Sequence, residues 1–157
     1  MLSELQADTT AALDNLRDLA RGIYPPLLAD LGLSAALEAQ AAKAAAPTQV
    51  LADGIGRYPQ EAEAAVYFCC LEALQNVAKY AGASRVVVTL RDEGAALSFT
   101  VEDDGRGFDP SAAPRGSGMQ NMADRLAALG GSFEVRSAPG GGTTVLGRIP
   151  VRPAEPE

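Results

Sequence analysis

The hydrophobic pattern of this chain changes period near its middle. In the first half apolar positions recur every three or four residues, the helical spacing. Leu2, Leu5, Thr9, Ala12, Leu16, Leu19 and Ile23 form such a series in steps of three and four. That is the spacing of a bundle or coiled-coil seam. A helix of about 22 residues, roughly 33 Å long, is expected there, ending at Pro25-Pro26 because proline disfavours helix in the residue before it. It packs either on its own domain or on something outside this chain. Its place ahead of a linker, with no partner nearby, favours the second.

"PPLLADLGL" reads as a linker with apolar anchors, and Ser34 as the N-cap of the alanine-rich helix "AALEAQAAKAAA", which Pro47 ends. "TQVLAD" reads as a short strand and "GIGRYP" as a loop. A second long helix is expected from Pro59 to Tyr80, with Ala62, Val66, Cys69, Cys70, Ala73, Leu74 and Val77 on its apolar face.

The period then drops to two. "SRVVVTLRDE" and "AALSFTVEDD" read as strands around a turn at Glu93-Gly94. A loop from Gly105 to Gly118 follows, then the helix "MQNMADRLAALGG" with a Gly-Gly stop. "SFEVRSA" and "TTVLGRIP" make a last pair around "PGGG". Strands concentrated in the second half and joined as hairpins leave the helices to one face. The expected fold is α/β of the α+β kind, a two-layer sandwich with a mixed, mostly antiparallel sheet.

Composition narrows the function. Of 157 residues, 13 are basic and 20 acidic, a net charge of −7 that repels nucleic-acid phosphates. Neither a signal peptide nor a membrane-spanning apolar run is recognisable; the best candidate, "AAVYFCCLEAL", is broken by Glu72. The two cysteines are adjacent, which fits core packing and a reducing compartment. The chain contains no histidine, so histidine catalysis and histidine metal sites within it are excluded.

Four short stretches carry candidate chemistry. In "EALQNVAKYA", Glu72 and Asn76 share a helix face, and Lys79, three residues on, continues the same stripe. Asn offers a neutral oxygen for Mg²⁺, and Lys a point charge for a phosphate. A solvated helix face would look the same. In "VEDDGRGFDP" a strand ends on Asp103-Asp104 and runs into Gly105 and Gly107, which could be an ordinary turn. In "RGSGMQNM", Gly116 and Gly118 precede a helix whose N-terminus suits a phosphate. In "GGGTTV", glycines enter what reads as an edge strand, with the Thr143 hydroxyl beside them.

Each stretch is ambiguous alone, but their order is not. A helical Glu-x-x-x-Asn-x-x-Lys, a strand-end DxGxG, a GxG before a helix and a GxxT-type hairpin occur in sequence. This resembles the N, G1, G2 and G3 boxes of the ATP-binding domain shared by histidine kinases, type II topoisomerases, heat-shock chaperone ATPases and mismatch-repair ATPases, the Bergerat fold. "LRDLARGIYPPLLADLGLSAALE" and "GMQNMADRLAALGG" further resemble the sensor histidine kinases that partner LuxR-family response regulators.

The resemblance implies that residues 1–23 end the second dimerisation helix, 24–32 link and 33–150 form the ATP-binding domain; by composition, 151–157 read as a disordered tail. It implies ATP and Mg²⁺ as cofactors, with Asn76 as the metal ligand, and Glu72 as either a water-activating base or an organiser of the Mg²⁺ shell. Lys79 and Tyr80 would contact the nucleotide, Tyr80 standing where relatives often carry histidine. Asp103 would accept a hydrogen bond from the adenine amino group, Asp104 being an exposed neighbour. Gly105 and Gly107 would pass close to the base and sugar, Gly116, Gly118 and Met119 would face the phosphates from the lid, and Thr143 would lie near the adenine. The segment Asp109 to Arg115 is expected to move.

The implied partners are a dimerisation and phosphoacceptor domain of a longer parent kinase, homodimeric when whole, and a response regulator receiver domain. Without the acceptor histidine, this chain is expected to bind ATP but not to phosphorylate itself, and to be a monomer or weak dimer in the cytoplasm, or in the cytoplasmic part of a membrane-bound sensor. The rival readings are an anti-sigma-type ATP-binding regulator and a degenerate nucleotide-binding module.

Overall fold

The computed structural model describes residues 26–109 and 117–151. The leading helix, residues 110–116 and residues 152–157 lie outside the described residues. The chain runs α1 (Pro26–Leu31), α2 (Leu33–Lys43), β1 (Thr48–Leu51), α3 (Gln60–Asn76), a π-helical turn (Val77–Ala81), β2 (Val86–Asp92), β3 (Ala96–Asp103), α4 (Ser117–Ala127), β4 (Ser132–Ser137) and β5 (Thr143–Pro150). The strands form one sheet in the order β1-β2-β3-β5-β4. β1 lies parallel to β2, and every other pair is antiparallel. The mixed, mostly antiparallel two-layer sandwich is therefore present.

Alternation fixes which face of the sheet is covered. In β3, Leu97, Phe99 and Val101 are buried, as are Val86, Val88 and Leu90 in β2 and Val145 and Ile149 in β5. All lie on the face that α3 and α4 cover. α3 is buried over most of its circumference, from Ala62 through the consecutive run Ala65–Leu71. That breadth follows from its position, packed on the sheet, on α2 and on α4 at once.

The domain departs from expectation in three places, two at its start and one at its end. Pro26–Leu31, expected as linker, is a short helix whose Leu28 is fully buried. α2 begins at Leu33 with Gly32, not Ser34, at its N-cap, and no side chain caps it. Val151, assigned by composition to the tail, is buried and donates its amide to Ala95 O at 2.9 Å.

An ion pair locks α1 to α3. Glu63, 1% exposed, accepts from Arg57 Nε at 3.0 Å and from Arg57 Nη2 at 3.2 Å. The same Nη2 reaches Ala29 O in the last turn of α1 at 3.0 Å. A guanidinium suits this position, because several donors on one rigid group satisfy a buried carboxylate and a helix-end carbonyl together.

Candidate functional site

The site begins with a carboxylate in an apolar row. Alternation in β3 puts Asp103 on the same covered face as Leu97, Phe99 and Val101. Strand register then aligns it with Val86 of β2, Thr143 of β5 and Ser137 of β4. Asp103 is 8% exposed, and its Oδ1 accepts the Gly105 amide at 2.8 Å. Among the described residues no donor reaches its second oxygen. That oxygen is not sealed from solvent, so it is open to a donor brought by a ligand.

Thr143 stands directly opposite Asp103. It does not begin an edge strand, as the glycine-led hairpin suggested. β5 lies between β3 and β4, and this interior position is what sets Thr143 beside the carboxylate. Its hydroxyl lies 2.9 Å from Ser137 Oγ, which also donates to Gly142 O at 2.9 Å and accepts the Phe108 amide at 2.9 Å. Ser137 thus joins the hairpin to the segment after Gly107. Nothing in its sequence context pointed to it.

Two glycines are needed for the chains to approach here. Gly142 has φ +71°, and a Cβ on it would stand 2.2 Å from Asp103 O. Gly107 has φ +63°, and its Cβ would stand 2.1 Å from Ala138 O. The requirement for glycine at position 107 is accordingly met within the protein, by the β4–β5 hairpin. Gly105 supplies the amide to Asp103.

The second half of the site is the end of α3. Glu72 and Asn76 lie on its last turns, both half-buried. Burial raises the Glu72 carboxyl above its ordinary value, and the Lys79 charge partly opposes this. The Asn76 carboxamide makes no hydrogen bond to another described residue. After Asn76 the helix widens into the π turn, so Lys79 does not continue the straight Glu72–Asn76 stripe. It is exposed. Wide turns of this kind are rare and are frequent at functional sites. The Tyr80 side chain lies outside the description. The turn ends at Gly82, in the left-handed conformation.

Asp104 ties the end of β3 to the connection between the π turn and β2. It is exposed, as expected, but it is more than a neighbour. Its Oδ1 accepts the amides of Ser84 at 2.8 Å and Arg85 at 3.0 Å, and its Oδ2 accepts the Ser84 hydroxyl at 2.5 Å.

The third element is α4. Gly118 is its second residue, Met119 packs against the core, and Gly116 lies outside the described residues. Arg125 stacks over Phe68 of α3 at 3.9 Å from the ring centroid, holding α4 against α3. A concavity of about 450 Å³ lies elsewhere, against Arg91, Ser98, Glu134 and Arg148 on strands β2 to β5. It includes none of the residues that carry the motif chemistry. The described residues hold no cluster of three or more Cys, Asp or Glu able to bind a metal. A cation here would need Asn76 together with oxygens supplied by the ligand.

The chain and its fold match known proteins. A family model described as "Histidine kinase-, DNA gyrase B-, and HSP90-like ATPase" matches residues 61–153. The sensor histidine kinase MctS of Rhizobium johnstonii is 34% identical over 148 residues, 88% of this chain and 32% of that protein. The signal transduction histidine-protein kinase/phosphatase DegS of Brevibacillus brevis is 30% identical over 160 residues, 98% of this chain and 42% of that protein. Among solved structures, the blue-light activated histidine kinase EL346 of Erythrobacter litoralis aligns over 90% of this chain and 46% of its own, with TM-score 0.61 and 30% identity. The chain belongs to this ATPase family, as an ATP-binding catalytic domain of the sensor histidine kinase kind. It spans about a third to two-fifths of the length of the curated relatives it matches. Among the described residues, no helix is long and apolar enough to cross a membrane.

Proposed function

We propose that this domain holds ATP between α3 and the Asp103–Thr143 row and presents its γ-phosphoryl group to a histidine on another domain. The observation that carries the reading is the Asp103 carboxylate, 8% exposed at a strand end, with one oxygen engaged by no described donor and Thr143 opposite. A carboxylate accepts and cannot donate. It therefore suits the amino group of adenine and opposes the carbonyl of guanine. Lys79 contacts phosphate, and Gly118 and Met119, at the start of α4, face the phosphates.

The acceptor must come from outside, since the chain has no histidine. In the transfer, an imidazole nitrogen forms the new bond to phosphorus, and ADP leaves with the electrons of the broken P–O bond. The protein's contribution is mostly positioning and charge stabilisation. Glu72 fits an organising role better than an obligatory base, because an imidazole nucleophile brings its own lone pair. The Asn76 carboxamide is unengaged and neutral, which suits Mg²⁺. That ion would neutralise phosphate charge when bound.

The partners on this reading are a dimerisation and phosphoacceptor domain and, downstream, a receiver domain of the LuxR-family type, within a homodimeric, cytoplasmic kinase portion. The stretches "LRDLARGIYPPLLADLGLSAALE" and "GMQNMADRLAALGG" support that subfamily. Calorimetry with ATP and GTP, each with and without Mg²⁺, tests the site. Mg²⁺-dependent binding of ATP with no binding of GTP is expected, and equal affinity for both would refute the adenine assignment. Labelled ATP with the parent's dimerisation domain should place phosphate on histidine. Phosphate on a serine of a partner would instead support an anti-sigma-type regulator.

A further inference from the structure

The adenine end and the phosphate end of the site come from segments far apart in sequence. Asp103 ends β3, whereas Asn76 and Lys79 sit on α3 and its π turn. The chain from Lys79 to β2 passes through Gly82, Ala83, Ser84 and Arg85, most of it exposed and outside any regular element. Left to itself, such a segment lets the helix end shift relative to the sheet. Asp104 closes it. One carboxylate takes the Ser84 amide, the Ser84 hydroxyl and the Arg85 amide, while its own amide donates to Arg85 O at 3.3 Å. The Arg106 guanidinium lies beside this segment, its Nη2 3.4 Å from where a Gly82 Cβ would stand. The Ser84 hydroxyl and then the Ser84 amide hold the Asp104 carboxyl below the usual carboxylate range, so the accepting form is the one present at neutral pH.

We propose that Asp104 is a positioning residue of the nucleotide site: by gripping Ser84 and Arg85 it fixes where Asn76 and Lys79 stand relative to Asp103. This rests on the reading that Asp103 meets adenine and that Lys79 and Asn76 serve the phosphate end. Asp104 touches neither. Its loss therefore weakens the phosphate end and spares the base.

Binding of Mg²⁺-ATP and of adenosine to the whole chain, measured by calorimetry and competition, separates the two ends. Asp104→Ala is expected to weaken Mg²⁺-ATP tenfold or more and to leave adenosine within about twofold. Asp104→Asn keeps an oxygen at the Oδ1 position for both amides, and is expected to bind Mg²⁺-ATP within about threefold of the parent. Ser84→Ala removes one bond of the three, and is expected to weaken ATP by a smaller factor in the same direction. It keeps the test open should Asp104→Ala fold poorly by circular dichroism.

Three results would overturn the inference: Asp104→Ala binding ATP normally, Asp104→Ala losing ATP and adenosine equally, or Asp104→Asn failing as badly as alanine. A parent protein that bound neither ligand would overturn the nucleotide reading, and this inference with it.

Discussion

Gly142→Ala probes the packing that sets Asp103 in place. The substitution meets two separate costs. At φ +71° an L-residue sits in the left-handed region, at about 1–2 kcal/mol. In addition the new Cβ would stand 2.2 Å from Asp103 O and 3.2 Å from its carbonyl carbon. Backbone atoms cannot rotate away, so β3 and the hairpin must part by about an ångström, and forced shifts of this kind cost about 1–3 kcal/mol. Gly140→Ala separates the terms. Gly140 has φ +77° but nothing within 4 Å of its Cβ, so it meets only the backbone cost. Stiffening of the unfolded chain offsets both variants alike. For a domain of roughly 120 residues, each kcal/mol moves Tm by about 4 °C. Calorimetric melting should therefore drop by roughly 4–8 °C for Gly140→Ala and by roughly 8–20 °C for Gly142→Ala. ATP affinity, measured well below either melting point, should fall only in Gly142→Ala, because only that variant moves the strand end bearing Asp103. Equal melting points and equal affinities in the two variants would refute the close-packing argument.

Asp103→Asn keeps an oxygen for the Gly105 amide but puts an amide donor where a ligand donor is expected; losing one charge-assisted bond, about 1.5–3 kcal/mol, should weaken ATP about 10- to 150-fold with Tm unchanged. Affinity within threefold of the parent by calorimetry would sink that assignment. Glu72→Gln should raise Tm at pH 8, because burial makes the ionised carboxyl costly in the folded state. The gap should close as pH falls through the raised folded value and then the ordinary 4.5, where both states are protonated; a gap constant from pH 8 to pH 4 would contradict this. Burial pushes the Cys69 thiol up to about 12 and Cys70 well above its ordinary value. Both should resist iodoacetamide at pH 8 until urea unfolds the chain, and fast labelling of the native protein, seen by mass spectrometry, would refute their burial.

The parts of the site that were legible in the sequence are those set by local spacing. The alternation of "ALSFTVED" placed a carboxylate at the end of a strand, and i, i+4 spacing put Glu72 and Asn76 on one helix face. Hairpins joined by short turns were legible for the same reason. What was missed depends on contacts that local pattern does not encode. β5 looked like an edge because its hairpin partner β4 is adjacent in sequence. Its pairing with β3 spans the whole of α4 and β4, and no periodicity reports it. The Asp104–Ser84 bonds join residues twenty apart, and Ser137 meets Phe108 across twenty-nine. A serine or aspartate in a loop has the same sequence signature whether or not such a partner arrives. The π turn likewise has no composition of its own, so Lys79 was expected on a straight stripe that the backbone leaves.

These omissions share a physical cause, which also explains why the site works as one unit. Two of the motif residues, Asp103 and Thr143, are aligned by a single cross-strand row, Val86–Asp103–Thr143–Ser137. Register is cooperative: slipping one pair by one residue would turn every side chain of that strand to the other face. The apolar members Leu97, Phe99, Val101 and Ile149 therefore hold the polar members in position, since exposing that set costs far more than a single site contact contributes. A core substitution remote from the nucleotide, such as one at Phe99 beneath Gly147, should accordingly alter ATP affinity only when it also perturbs the sheet register.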